Sequence, residues 1–198
     1  MVGYATGMTA PLSAQDWFAQ LPTTYLAASG LITDISGNVL LVDPNYREHW
    51  TLPGGVVEHG EPPHRGCERE VAEEVGLELT AGTLLACQWN GPRGERPRAF
   101  VSLVFDCGTI PNGTTITLQT EELNDHAFVA PDRAGTLLHP AIAPRLEAAL
   151  RARASGVAEY VFWESTWQAG EREASEQIAS GQATSYGSAD ERFADLER

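Results

Sequence analysis

Residues 69–76 read Arg-Glu-Val-Ala-Glu-Glu-Val-Gly, which puts carboxylates at positions i, i+3 and i+4 of one short segment. No other stretch limits the fold as tightly. Pro62 and Pro63 stand upstream, and proline suits a first helical turn because the N–H it lacks would be unpaired there anyway. Gly76 supplies a left-handed stop. At roughly 100° per residue, a helix between them carries Cys67, Val71 and Val75 as one apolar stripe. Glu70, Glu73 and Glu74 share the adjoining face, with Glu74 at the border. Like charges at this spacing cost roughly 0.2–0.5 kcal/mol per pair, and burial beside the stripe adds to the repulsion. A hard divalent cation reverses the sign, because carboxylate oxygens are its ordinary ligands. A solvated acidic helix face is the plainer reading of a Glu pair. A glycine pair at 54–55, a further acid at Glu61 and the helix stop all coincide here, and together they favour the cation.

Gly55, Glu61, Arg69, Glu70, Val71, Glu73, Glu74, Gly76 and Leu77 fit one pattern without a departure. It runs Gly, five residues, Glu, seven residues, Arg-Glu-apolar-any-Glu-Glu-any-Gly-apolar. The segment resembles the signature of the Nudix hydrolase family, and Trp50-Thr51-Leu52-Pro53 extends the likeness slightly. The motif occupies 23 of 198 residues.

Strands interleaved with two substantial helices argue for a mixed α/β layer structure. The resemblance sharpens this to the Nudix fold, an α/β/α sandwich with a mixed β-sheet and the motif helix packed on it. It also implies a divalent-metal-dependent hydrolase. Such an enzyme cleaves a diphosphate bond in a nucleoside diphosphate linked to another moiety, and both ADP-ribose-like molecules and nucleoside triphosphates stay open as substrates.

By the same resemblance Glu70, Glu73 and Glu74 are metal ligands and the Gly55 carbonyl helps. Mg2+ is the expected ion, with Mn2+ as an alternative. Glu70 is also a candidate base for the attacking water. Arg69 orients its neighbours by bidentate hydrogen bonding, and Glu61 supports that network. A later loop can add a carboxylate, with Glu121 or Glu122 ahead of Asp125. The rival reading is a catalytically silent Nudix module that binds a nucleotide-like ligand as sensor or scaffold, and the intact motif glutamates argue against it. Many relatives are dimers, so a homodimer is compatible with the likeness.

Net charge of −14 makes the chain a poor partner for nucleic acid or anionic membrane, both of which need clustered Lys and Arg. An anionic small substrate then requires a bridging metal. Cys67, Cys87 and Cys107 show neither a paired framework nor zinc spacing, and they read as reduced, buried thiols of a cytoplasmic protein. No basic start precedes an apolar run, and no stretch approaches the ~18 apolar residues of a membrane helix.

Along the chain, residues 1–22 read as a leader with a short helix. Ser13 caps it, and Trp17, Phe18 and Leu21 pack on the domain edge. Residues 23–153 read as the Nudix domain, and 154–198 as a polar extension whose tail is expected to be mobile. Strands are expected at 23–33, 39–42, 99–107 and 126–129, with one or two within 77–89 and an extra strand or docking segment at 159–167. A helix is expected at 140–153. The Gly54-Gly55 pair reads as a turn where backbone approaches a ligand. Arg47 on a polar loop, Trp50, Arg93 and Arg96 are the candidate substrate contacts. Arg93 and Arg96, with Arg98, serve equally well as a basic rim. Pro92, fifteen residues beyond Leu77, has a spacing that resembles ADP-ribose-cleaving members. Trp89 and Tyr46 could stack on a base, and His59 and His64 read as exposed.

Overall fold

The computed structural model describes residues 12–163 and residue 180. The leader up to residue 11 and the tail from residue 164, apart from residue 180, lie outside the described residues. The chain divides into two units, Met1–Val161 and Phe162–Arg198. The elements run α1 (Ala14–Ala19), β1 (Tyr25–Asp34), β2 (Val39–Pro44), β3 (Gly54–Val56), α2 (Pro63–Val75), β4 (Leu84–Asn90), β5 (Phe100–Ile110), β6 (Leu123–Val129), α3 (Pro131–Leu137), α4 (Ala143–Ser155) and β7 (Glu159–Trp163).

β1 and β2 form because their apolar residues are buried on both faces. Leu31 and Ile32 are neighbours in β1, as are Leu40 and Leu41 in β2, and all four are 0% exposed. Successive side chains point to opposite faces, so such a run requires cover on both sides. Asp34 closes the connection, its carboxylate accepting from the N–H groups of Ser36 and Asn38, each at 2.8 Å. That self-bonding turn leaves Gly37 at φ 82°.

The seven-stranded mixed sheet runs β6-β2-β1-β5-β4-β7, with β3 on β1. β1 and β5 are parallel, from Tyr25↔Phe100 to Asp34↔Ile110. Along its other edge β1 is shared. β2 meets it at Thr33↔Val39, and β3 meets it from Ala27↔Val56 to Ser29↔Gly54. The glycine pair read as a turn is therefore a strand. Without side chains it carries no alternation to reveal one.

Helices cover the two faces. On one, Cys67, Val71 and Val75 of α2 pack with Ala28, Ile32, Leu40 and Val42. On the other, Leu146, Ala149 and Ala152 of α4 pack with Leu31, Leu41, Leu85 and Val104. Each large side chain buried this way contributes about 1.5–3 kcal/mol. α2 crosses β1 at Gly30, where a Cβ would stand 2.8 Å from Cys107 Sγ and 3.1 Å from Val71 Cγ2.

Arg153 clamps α4 to the sheet. Its guanidinium donates to both Asp106 oxygens (2.6 and 3.1 Å), to the Leu31 carbonyl (2.6 Å) and to Thr33 Oγ1 (3.1 Å). Arg153→Ala is expected to lower stability by about 2–3 kcal/mol, the range for charged hydrogen bonds lost from a half-buried acceptor. Urea denaturation measures it, and an unchanged midpoint would show the clamp to be inert.

Two further expectations are corrected, and one helix has no counterpart in the sequence reading. α1 is capped by Ser13, whose Oγ accepts from the Asp16 N–H at 3.1 Å, yet Trp17 and Phe18 remain 51% and 64% exposed. The expected packing on the domain edge is absent among the described residues. α3 was not anticipated, because seven residues with Gly135 inside leave no helical period to read. Of the one or two strands expected within 77–89, β4 is the one, and Leu77 and Leu79 before it pack under α2. α4 starts three residues later than expected, because the N–H groups of Ile142 and Ala143 turn back to the His139 carbonyl.

Candidate active site

Pro62 caps α2 in extended conformation and Gly76 ends it left-handed at φ 69°, its N–H reaching the Ala72 carbonyl at 3.1 Å. The apolar stripe is fully buried, and Glu74 at its border goes in with it, at 4% exposure. A carboxylate so placed requires a donor. The Gly54 N–H of β3 provides it, at 2.7 Å from Glu74 Oε2. One residue on, a Cβ at Gly55 would stand 2.5 Å from the Glu70 carboxylate carbon and from both its oxygens. Gly55 is needed because the Glu70 carboxylate lies directly on the strand backbone, and Gly54 because β1 backbone crowds the position its Cβ would take.

Arg69 gathers the remaining acids. Its Nε and Nη2 donate to the two Glu61 oxygens at 3.1 Å each, and its Nη1 to Glu70 Oε1 at 2.9 Å and Glu73 Oε2 at 3.1 Å. Nη2 also reaches the Val56 carbonyl at 3.2 Å, joining helix to strand. The Arg69 bonds, with the Glu58 N–H, hold the Glu61 carboxyl below its usual range. The same pairing pushes Arg69 up.

Burial drives Glu74 the other way. Desolvation pushes its carboxyl up to about 7, against the Gly54 N–H; the Glu70 and Glu122 charges push further up and Arg47 pulls down. Glu70 is raised as well, first by burial, then by Glu73 and Glu122, with Arg69 opposing. Of the loop acids, Glu122 is among the charges that raise both Glu70 and Glu74. The N–H groups of Thr117 and Gln119 bond the Val75 and Glu74 carbonyls, at 3.1 Å each, which ties its loop to the end of α2. Asn45 holds both acids' backbone, its N–H on the Glu122 carbonyl at 2.9 Å and its side-chain amide on the Glu121 carbonyl at 2.8 Å.

Among the described residues no three His, Cys, Asp or Glu side chains are already arranged to hold a metal. The reason is visible. Arg69 draws Glu70 and Glu73 onto itself, while Glu74 faces Gly54. The donor chemistry nonetheless fits a hard cation, since the acids offer oxygen ligands, and burial followed by like charges already pushes Glu70 and Glu74 up.

The other anticipated residues lie around this cluster. Arg47 is exposed and donates to Tyr46 Oη at 3.3 Å. Trp50 is a packing residue against the α4 core, its N–H on the Leu137 carbonyl at 3.2 Å. Arg93 and Arg96 pair through their backbones at 3.0 Å at the tip of the β4–β5 connection, and Arg96 caps the Gly91 carbonyl. Arg98 lies over the Tyr25 ring, 5.8 Å from its centroid. His59 and His64 are exposed. Sequence reading passed over Arg145, which α4 buries to 7% exposure. Its one available signal was its place beside Leu146, on the inward side of the helix.

Residues 23–152 match the model of the NUDIX domain. The chain belongs to the Nudix family. It is 30% identical over 129 residues to a MutT-like protein of Streptomyces ambofaciens, covering 65% of this chain and 79% of that one. It is 37% identical over 62 residues to an 8-oxo-dGTP diphosphatase of Proteus vulgaris, covering 29% of this chain and 55% of that one, so it spans only about half of this second relative. Among solved structures, the MutT protein of Methanosarcina mazei Go1 superposes with a TM-score of 0.57 at 23% identity, over 67% of this chain and 96% of that one. The mixed sheet between helices is thus the Nudix fold, and this Nudix chain is a pyrophosphohydrolase in class.

Proposed function

We propose that this Nudix hydrolase uses magnesium, held by Glu70, Glu73, Glu74 and the Gly55 carbonyl, to cleave a diphosphate bond in a nucleotide. The observation that carries the reading is the contact of β3 with α2, where Glu74 bonds the Gly54 N–H and Glu70 lies on the Gly55 backbone. Such a contact gathers acids against the strand backbone, where burial and neighbouring charges hold Glu70 and Glu74 up. Bound magnesium supplies charge neutralisation at the diphosphate and makes water more acidic.

The chain's own residues do the rest. Glu61 fixes Arg69, and Arg69 holds Glu70 and Glu73 in one orientation. Glu70 is the first candidate to accept a proton from the attacking water, and Glu122 is the loop acid nearest in effect. Nucleoside triphosphates are the first substrate class to try, on the likeness to the Proteus relative. ADP-ribose-like compounds come second. The same reading takes the protein to be cytoplasmic, in keeping with its three free cysteines. No helix among the described residues is long and apolar enough to cross a membrane.

Phosphate release, coupled to a phosphatase, across triphosphates and diphosphate derivatives with and without magnesium tests this. Metal-dependent turnover of one class is the expected result. A magnesium-dependent thermal shift without turnover of any compound would instead favour a silent binding module.

A further inference from the structure

We infer that Arg69 is the resident cation of the metal-free site, and that its Nη1 releases Glu70 and Glu73 when the metal binds while its Nε–Nη2 edge stays on Glu61. The inference rests on the proposed metal-dependent reading and concerns how that same site takes up its metal. Arg69 then opposes metal binding as well as gathering the acids.

The guanidinium has no donor to spare. Its five N–H groups meet five acceptors: both Glu61 oxygens and the Val56 carbonyl through Nε and Nη2, and Glu70 Oε1 and Glu73 Oε2 through Nη1. The two ends of this fork differ. The Glu61 side chain is 17% exposed, and its Oε2 takes a further bond from the Glu58 N–H at 3.0 Å. A Cβ at Gly66 would stand 2.9 Å from the same oxygen, so this carboxylate lies against the backbone of α2. With Val56 also bonded, the Nε–Nη2 edge ties β3, the following loop and α2 together. Glu73, at the other end, is 51% exposed, and its bond to Nη1 is 3.1 Å long. That end is the one free to change partners.

Nη1 also keeps its two acids away from a metal-ready arrangement. With those bonds made, no three His, Cys, Asp or Glu side chains among the described residues are placed to hold an ion together. Glu74, the third ligand of the proposed set, faces the Gly54 N–H instead. Bringing Glu70 and Glu73 to a common point with Glu74 therefore requires Nη1 to let go. The exchange is favourable because three carboxylates share one guanidinium here, and a hard divalent ion offers their oxygens twice its charge. It also has a cost. Whatever the Nη1 bonds contribute to the metal-free fold is subtracted from metal affinity, since a ligand shifts an equilibrium only by its differential interaction with the two states.

The test measures Mg2+ binding by calorimetry, and Tm with and without Mg2+, on the full chain, on Arg69→Lys and on Glu61→Asp. Lysine keeps the charge, but a single ammonium does not span Glu61, Glu70 and Glu73. Metal-free Arg69→Lys should melt several degrees below the wild type. Its Kd for Mg2+ should fall by ~10-fold, the scale of one charge-assisted hydrogen bond, and Mg2+ should add more to its Tm than to that of the wild type. Glu61→Asp keeps the charge and withdraws the carboxylate from the Nε–Nη2 edge. The fork then leans on Glu70 and Glu73, and Mg2+ binding should weaken. A further readout needs no variant: in the wild type with labelled arginine, Mg2+ should shift the Arg69 Nη1 nitrogen NMR signal and leave that of Nε in place.

Equal or weaker Mg2+ binding in Arg69→Lys would show that Arg69 only orients the ligands, and would overturn the exchange. Tighter binding in Glu61→Asp, or an Nη1 signal that Mg2+ leaves unmoved, would do the same. If Arg69→Lys does not fold, the Nη1 signal decides. Mg2+ that neither binds the wild type nor raises its Tm would instead sink the metal-dependent reading itself, and the exchange with it.

Discussion

Glu74→Gln is expected to reduce magnesium-dependent turnover by more than about 100-fold while leaving the metal-free Tm unchanged or raised. Outer contacts to a metal ligand typically cost 10–100-fold when lost, and a ligand itself costs at least that much. Under the proposed role Glu74 is such a ligand. Glutamine keeps the shape and one amide oxygen, which can still accept from the Gly54 N–H that now bonds Glu74 at 2.7 Å. What disappears is the charge. In the metal-free protein that charge is disfavoured by burial and by its neighbours Glu70 and Glu122, so its removal does not weaken the fold. The two readouts must separate. Magnesium should raise the wild-type Tm and leave the variant's where it was. Wild-type turnover in the variant would remove Glu74 from the metal site. A large drop in metal-free Tm would mean that its carboxylate stabilises the fold by contacts other than the Gly54 bond.

The helix at the centre of this site was legible because two independent signals agreed there. Pro62, Pro63 and Gly76 set its ends, and the spacing of Cys67, Val71 and Val75 set its buried face. Periodicity also located Glu74 at the border, the position that becomes buried. β1 and β2 could be read for a related reason, since a doubly covered strand is apolar throughout.

The missed features depend on partners distant in sequence. Gly54 and Gly55 form a strand only because β1 offers its backbone, and a glycine pair has no side chains to announce that pairing. Nothing local to Glu121 and Glu122 distinguishes them. The difference arises where Gln119 bonds the end of α2 and Asn45 meets both of their carbonyls. Arg145 is the clearest case. Its helix was expected, but the loop that Trp50 docks on the end of α3 is set by tertiary contact, and α3 itself left no readable pattern. Local chemistry was therefore visible in the sequence, whereas the choice among equivalent acids and cations was made by tertiary contacts.

Gly54→Ala is expected to produce the largest loss of stability of any single-methyl change at this site, about 3–5 kcal/mol. Two effects add. Gly54 sits at φ 140°, a conformation that residues with a Cβ rarely adopt, and holding an L-residue in so sparsely populated a region costs of order 1–3 kcal/mol. The added Cβ would also collide with the Ala28 carbonyl oxygen and stand 2.5 Å from Ser29 Cα. Those are backbone atoms of β1, buried in the middle of the sheet, and overpacking there costs typically 1–3 kcal/mol. Neither effect relaxes cheaply, because β1 is fixed by β5 along its other edge. Whatever movement does occur pulls the Gly54 N–H from Glu74 and separates β3 from α2. Activity should therefore fall with stability in this variant, unlike in Glu74→Gln. Urea unfolding and magnesium-dependent turnover, measured on one preparation, check the pair. A Gly54→Ala protein with wild-type stability and full activity would show that β3 is free to shift, and that its contact with the helix glutamates does not build the site.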